Sequence, residues 1–180
     1  MKKLFESPAF ALLLAVIVVI GSTLLNTRIK FGRKCDAMCD EFYEQSDISA
    51  ELRNFCAAAE KVALTAQQQE LPDADATLQN VDELRNLLYQ QTDDLSSVYF
   101  MYQKLLSSTF DLEASLARME LPAAQADTLA AAQHDAAAAK AAIDSSGFNS
   151  SARSFLKRYQ KFPTPTLAGM VGVNLPCAFD

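Results

Sequence analysis

The chain has 180 residues, enough for one domain with an appendage and too few for a multi-domain enzyme. Half of the residues are apolar, yet only 5 Gly, 6 Pro and no Trp occur, a composition that favours long helices and argues against an all-β fold. The net charge of -6 argues against a nucleic-acid-binding protein, which normally carries a basic face. We therefore expect an all-α protein that binds no nucleic acid.

An uncharged, apolar segment lies near the start of the chain. Residues 7–27 carry no charged side chain and include the continuous apolar run from Ala9 to Ile20. About 20 helical residues cross the hydrocarbon core of a bilayer. We therefore predict a transmembrane helix at 7–27, preceded by a short N-terminal tail at 1–6. The alternative is a cleaved signal peptide, but no small-x-small cleavage site follows the run.

A basic juxtamembrane segment follows at residues 28–34. It carries Arg28, Lys30, Arg33 and Lys34, against only Lys2 and Lys3 before the apolar run. The more basic flank tends to stay in the cytoplasm. We therefore expect a single-pass protein of the cell (inner) membrane, with the lipid bilayer as a partner and the body in the cytoplasm. The opposite orientation remains the alternative, since the margin is two charges.

The body, residues 35–163, is predicted to be a helical bundle. At alternating steps of four and three residues, eight of ten positions from Phe31 to Ala63 are apolar or thiol. The same steps from Val81 to Met119 meet ten apolar residues in twelve. A heptad repeat kept over this length predicts two long helices that supercoil against partner helices.

A third long helix is predicted from Ala123 to Phe162. It begins with 12 Ala in 20 positions, and Ala has the highest helix propensity. The apolar stripe shifts phase at Ser145, Ser146 and Gly147, where we expect a kink or short break. The tripeptides at 70–72 and 120–122, both Glu-Leu-Pro, predict tight connections between helices. The fold class is therefore an N-terminal transmembrane helix followed by an antiparallel bundle of three long helices.

The residues that most often carry chemistry do not form a recognisable site. The single histidine, His134, lies among alanines, where an exposed polar position is the simplest interpretation. Cys35 and Cys39 share one helical face, but a zinc site needs two further ligands, so we interpret them as buried small residues. Cys56 and Cys177 could form a disulfide only if the tail folds back in an oxidising compartment. We predict no catalytic residue, metal or cofactor.

The sequence from residue 148 onward carries the most specific pattern. It has an aromatic-Asn start, aromatics at heptad spacing, a Phe-Pro end and then an Ala-Gly-x-x-Gly-apolar stretch. In these features the chain resembles the LemA family, as a divergent member. The resemblance implies a membrane-anchored helical bundle without recognised catalytic residues. The residues that match the family pattern are Phe148, Asn149, Phe155, Tyr159, Phe162, Pro163, Gly169 and Gly172.

The tail at residues 164–180 is apolar and is expected to turn sharply. Pro163 and Pro165 end the third helix, and Gly169 and Gly172 permit a tight reversal. We expect the tail to fold back and pack on the bundle. The alternative is an exposed segment that binds a partner or touches lipid, because apolar residues left in water favour association.

These features favour a LemA-like, non-enzymatic membrane protein that acts as a scaffold for an unidentified protein partner. One alternative is an envelope coiled-coil assembly factor, of the division or lysis type, that oligomerises through its heptads. A second alternative is a redox- or metal-responsive membrane protein that uses Cys35 and Cys39.

Overall fold

The computed structural model of the chain describes residues 8–159, 166, 169–170 and 172–179; the N-terminal tail predicted at 1–6 lies outside these residues. The described part is all-helical, as predicted, and contains no strand. A π-helical turn, Glu41–Gln45, separates the first two of its six α-helices. The helices are α1 (Pro8–Asp40), α2 (Ile48–Gln68), α3 (Ala74–Tyr89), α4 (Leu95–Leu116), α5 (Ala123–Asp144) and α6 (Gly147–Tyr159).

Helix α1 runs without a break from the apolar segment through the basic residues 28–34. By length and composition it can cross a membrane. Its most apolar stretch is not buried against any other described part of the chain. Ile17, for example, is 60% exposed. The apolar segment is therefore joined by continuous helix to the part of α1 that packs on the body, where Phe31, Cys35 and Met38 are buried.

Helices α2 to α5 form an antiparallel, up-down-up-down bundle. Each successive pair is joined by a short connection, which forces neighbouring helices to run in opposite directions. Side chains that bond across the bundle follow this antiparallel order. The pairs are Glu60 with Arg85 between α2 and α3, Asn80 with Ser108 at 3.4 Å between α3 and α4, and Lys61 with Asp135 at 3.3 Å and Gln69 with Gln125 at 2.8 Å between α2 and α5.

The prediction of one continuous helix from Val81 to Met119 is wrong. The chain reverses at residues 90–94, so the segment forms the α3–α4 hairpin. Asp94 caps α4, because its side chain accepts a hydrogen bond from the Ser97 amide at 3.4 Å and from the Ser97 hydroxyl at 2.7 Å. The bundle therefore has four helices where three long ones were expected, and the first predicted long helix is also interrupted, at residues 41–47.

The other predicted breaks are confirmed. Both Glu-Leu-Pro tripeptides lie in connections between helices, and Pro122 directly precedes the first residue of α5. The third predicted helix is divided at Ser145 and Ser146 into α5 and α6. The alanines of α5 let it lie close against α2, since small side chains permit short distances between helix axes. The buried alanines of the two helices include Ala58 and Ala59 on α2 and Ala132, Ala136 and Ala139 on α5.

Helices α2 and α3 end on residues in the left-handed backbone region. Glu70 has φ of 57° and Gln91 has φ of 48°. At each end an amide bonds to the carbonyl five residues earlier, Leu71 to Ala66 at 3.1 Å and Thr92 to Leu87 at 3.4 Å. This is the Schellman pattern, which normally uses glycine because other residues are strained there.

Glycine at this position should stabilise the fold. We expect Gln91→Gly to raise the free energy of unfolding by about 1 kcal/mol, because it removes the strain of a left-handed non-glycine residue. The matched control is Gln90→Gly. Gln90 has φ of -72°, so glycine there relieves no strain and only increases the conformational entropy of the unfolded chain. Denaturant unfolding in detergent, followed by circular dichroism, compares the two. An equal effect of both changes would contradict the assigned backbone geometry.

Candidate functional site

Four segments meet at the end of the bundle nearest α1. They are the π-helical turn, the α3–α4 connection, the α5–α6 break and the tail at 172–179. Aromatic side chains of the π-helical turn, of α4 and of α6 surround Phe179, which has no exposed surface. We call the four aromatic residues around it, Phe42, Tyr99, Tyr102 and Phe148, the tail socket.

The π-helical turn presents aromatic residues to this site. Phe42 is fully buried, and its ring lies 4.7 Å from that of Tyr43. The Tyr43 hydroxyl donates to the Thr92 carbonyl at 3.1 Å, and the Cys39 thiol donates to the Asp93 carbonyl at 3.5 Å. These bonds hold the α3–α4 connection against the C-terminal part of α1. Short π-helical insertions of this kind are frequent at functional sites.

Phe179 packs on all four aromatic rings of the tail socket. Its centroid lies 5.2 Å from Phe42, 5.5 Å from Tyr99, 6.3 Å from Tyr102 and 6.2 Å from Phe148. The Tyr99 ring stands at 90° to it, the edge-to-face arrangement that aromatic pairs prefer. Phe179 therefore completes the hydrophobic core at this end of the bundle.

Asn149 provides the polar link between the tail and the helices. It is fully buried, and its Oδ1 accepts a hydrogen bond from the Phe179 amide at 2.7 Å. Its Nδ2 donates to the Ile143 carbonyl at 2.7 Å, at the end of α5. A single side chain thus satisfies a backbone donor of the tail and a backbone acceptor of the helix, groups that are costly to bury unpaired.

Other residues of the tail contact the first turn of α4 and also α1, where Val173 and Leu175 pack on Phe31 and Cys35. The Ser96 hydroxyl donates to the Leu175 carbonyl at 3.2 Å, and the Cys177 thiol donates to the Leu95 carbonyl at 3.3 Å. Gly172 has φ of 67°, where glycine is favoured. Residues 172–179 therefore pack on the bundle, whereas Met170 is 70% exposed.

A second aromatic cluster joins α6 to α1. Phe31 lies 5.8 Å from Phe155 and 5.3 Å from Tyr159, measured between ring centroids. The Lys34 ammonium lies 4.8 Å from the Tyr159 ring centroid and donates to the Tyr159 hydroxyl, which lowers the pKa of that hydroxyl. Helix α6 therefore runs back toward the end of α1 that carries the apolar segment.

The structure divides the residues of the LemA-like pattern into three groups. Phe148 and Asn149 help to hold Phe179, whereas Phe155 and Tyr159 pack on α1. Gly169 is exposed and Gly172 supports the turn into the tail. Phe162 and Pro163 lie outside the described residues. Phe42 and Phe179 also belong to this site, although neither was predicted from the sequence to do so.

All four cysteines are free thiols, so the structure contains no bond between Cys56 and Cys177. Burial, and to a smaller extent neighbouring thiol and acidic groups, raises the pKa of Cys35 and of Cys39 to about 11. Burial raises the pKa of Cys56 to about 12. Since the thiolate is the reactive form, these environments disfavour thiol chemistry near neutral pH.

His134 is exposed, and no cluster of three or more His, Cys, Asp or Glu residues suited to a metal occurs in the described ranges.

The thiols should therefore react slowly while the protein is folded. With a pKa of about 11 against an ordinary 9.0, Cys35 and Cys39 hold a thiolate fraction about 100-fold lower than an exposed thiol at pH 8. We expect iodoacetamide to modify the folded chain at least that much more slowly than the chain unfolded in dodecyl sulfate, and the folded rate to rise with pH up to about 11. Peptide mass spectrometry measures each site, and rapid modification of Cys35 at pH 7 would contradict the burial.

The arrangement binds the tail by aromatic packing and one bridging amide. Both interactions hold one part of the chain against another, and neither is of a kind that activates a nucleophile or transfers a proton. Comparisons of the chain with protein families, with curated proteins and with solved structures found no match.

Proposed function

We propose that this chain is a single-pass membrane protein of the LemA type, whose bundle serves as a non-enzymatic interaction scaffold close to the bilayer. The observation that carries the proposal is the continuous helix α1. Its apolar stretch is exposed, with Leu13 at 56% and Ile17 at 60%, and bilayer insertion would remove this surface from water. The same helix continues into the body, which would be held at a fixed distance from the membrane.

Charge supports an orientation with the body in the cytoplasm. Helix α6 places Lys157 and Arg158 in its last turn, at the same end of the molecule as the basic residues 28–34 of α1. The anionic lipids of the cytoplasmic leaflet attract basic groups next to the membrane. The acidic remainder, with 20 Asp and Glu against 6 Lys and Arg in residues 35–152, would then extend away from the lipid surface.

The scaffold role is supported by aromatic residues that the bundle leaves exposed. Phe100 is 67% exposed and Phe110 is 69% exposed, both on α4. Phe100 lines a groove between α3 and α4, and Phe110 lines a groove between α4 and α5. Exposed aromatic side chains beside grooves are typical of surfaces that bind other proteins.

The heptad positions Leu84, Leu88 and Leu105, by contrast, are buried within the chain, which disfavours oligomerisation through them.

Alkaline extraction of membranes tests the anchor. We propose that the full chain stays in the membrane pellet, whereas a variant with Ile17→Arg and Ile20→Arg is released, since each arginine costs about 3 kcal/mol at the centre of a span. The matched control carries Ile17→Leu and Ile20→Leu and should stay in the pellet. Release of the unsubstituted chain would contradict the proposal.

Protease accessibility in intact cells against inverted vesicles tests the orientation, and digestion of the body in intact cells would overturn it.

Photocrosslinking tests the scaffold role. A photoreactive residue at position 100 or 110 should crosslink to the same protein partner in intact cells. The control position is Asn54, which is also exposed but lies on α2 and lines neither groove. Absence of crosslinks at 100 and 110, or equal crosslinking at 54, would contradict an interaction surface at these residues.

A further inference from the structure

A groove between α1 and α6 combines cationic and aromatic side chains at the level where the apolar segment ends. It has a volume of about 230 Å³ and is lined by Asn26, Lys30, Phe31, Lys34 and Tyr159. We call it the juxtamembrane groove. From the sequence only its basic flank is visible, because Tyr159 lies 125 residues from Lys34 and the groove exists only once α6 packs on α1.

The polar residues of α1 in this groove lie on one face of the helix. Asn26, Lys30 and Lys34 follow one another at steps of four residues, so each is about 6 Å along the axis from the next. Side chains on a helix lean toward its N-terminus. Lys30 and Lys34 therefore lean toward the apolar segment of α1, where a membrane surface would lie.

Tyr159 positions one of the two ammonium groups. Lys34 lies over its ring, 4.8 Å from the centroid, and also donates to its hydroxyl. Neither Lys30 nor Lys34 forms an ion pair with a carboxylate among the described residues. Both positive charges thus face the groove without an acidic partner.

The surroundings of the groove are positively charged on both helices. No Asp or Glu occurs from residue 26 to residue 35, or anywhere in α6. Lys157 and Arg158 add two cations in the last turn of α6. A groove of this kind favours an anion with several acceptor oxygens.

Apolar residues beside the groove distinguish a lipid from a soluble anion. Leu25 and Ile29 each come one position before a polar residue of the groove, and they are 60% and 47% exposed. They offer contact to an acyl chain directly next to the ammonium groups that would contact its headgroup. A soluble phosphate would leave them in water.

We propose that the juxtamembrane groove binds the headgroup phosphate of an anionic glycerophospholipid, with Lys30 and Lys34 as its cationic contacts. The inference rests on the proposed membrane anchoring of α1. Zwitterionic lipids would bind more weakly, because their own ammonium group offsets the charge of the phosphate. Bound lipid would tie α6 to the membrane surface beside α1.

The test uses the full chain in detergent micelles supplied with equal amounts of phosphatidylglycerol and phosphatidylcholine. Native mass spectrometry counts the lipids that stay bound. We expect a preference for phosphatidylglycerol that falls by about fivefold for each lysine removed, thus by about 25-fold in a variant with Lys30→Gln and Lys34→Gln. The control carries Lys61→Gln and Lys104→Gln, which removes the same charge from the body and should keep the preference.

The possible results separate the alternatives. An unchanged preference in the Lys30→Gln, Lys34→Gln variant, or an equal loss in the control, would overturn the inference. Displacement of the lipid by millimolar inorganic phosphate would also overturn it, because the site would then be one for a soluble anion. In nanodiscs, failure of the unsubstituted chain to insert would contradict the membrane anchoring itself, whereas insertion without any lipid preference would contradict the lipid site alone.

Discussion

Replacing Phe179 with alanine is expected to lower the free energy of unfolding by about 3–5 kcal/mol, the usual cost of removing a fully buried phenylalanine side chain. Phe179 has no exposed surface and contacts four aromatic rings. Its loss leaves a cavity at the point where the tail, the π-helical turn, α4 and α6 meet. Denaturant unfolding of the full chain in detergent micelles, followed by circular dichroism, measures the change.

Met170→Ala is the matched control for this substitution. Met170 belongs to the same tail but is 70% exposed, so truncation there should change stability by less than about 0.5 kcal/mol. Proteolysis gives a second readout, because release of the tail should expose residues 172–179 to cleavage in the Phe179→Ala protein. Equal stability of the two variants would show that Phe179 is not part of the core.

The second large effect is expected at Asn149. Asn149→Leu keeps the approximate size of the side chain but removes its hydrogen-bonding groups, so the buried Phe179 amide loses its partner. The Ile143 carbonyl keeps the bond that it accepts from the Ser146 amide at 3.1 Å. Leaving a buried polar group unpaired costs about 1–3 kcal/mol. We therefore expect a loss of about 1–3 kcal/mol in the free energy of unfolding, measured in the same denaturant experiment.

Asn54→Leu serves as the control for Asn149. Asn54 is exposed on α2 and, among the described residues, its side chain bonds only to that of the nearby Glu51, at 3.1 Å. Its replacement should leave stability within about 0.5 kcal/mol of the original chain. If Asn149→Leu proved equally mild, a water molecule or another group would have to satisfy the Phe179 amide, and the bridging role of Asn149 would be wrong.

The helical class was predictable because apolar side chains recur at helical spacing through most of the body. The hairpin at 90–94 was not, because Leu88 and Leu95 are seven residues apart and both are buried in the core after the chain reverses. The heptad spacing of apolar residues is therefore kept across the turn, and the pattern gives no sign that the chain reverses. The local signal was Asp94, an N-cap residue directly before Leu95, with Ser97 three positions later.

The tail socket was only partly predictable. The pattern around Phe148 and Asn149 pointed to the correct region through the LemA-like resemblance. The partners Phe42 and Tyr102 lie far away in sequence, and their contacts with Phe179 depend on the π-helical turn and on the α3–α4 hairpin. Contacts that depend on chain reversal leave no periodic trace in a sequence, so Phe179 looked like one apolar residue among several.

Amide hydrogen exchange at Phe179 tests most directly whether the chain folds into one bundle that its own tail closes. In the full chain, reconstituted in lipid nanodiscs, the Phe179 amide is buried and bonds to Asn149 at 2.7 Å. We predict that it exchanges as slowly as the amides of the buried residues of α2, and that Asn149→Leu abolishes this protection. Exchange as fast as at the exposed Met170 would contradict a closed bundle.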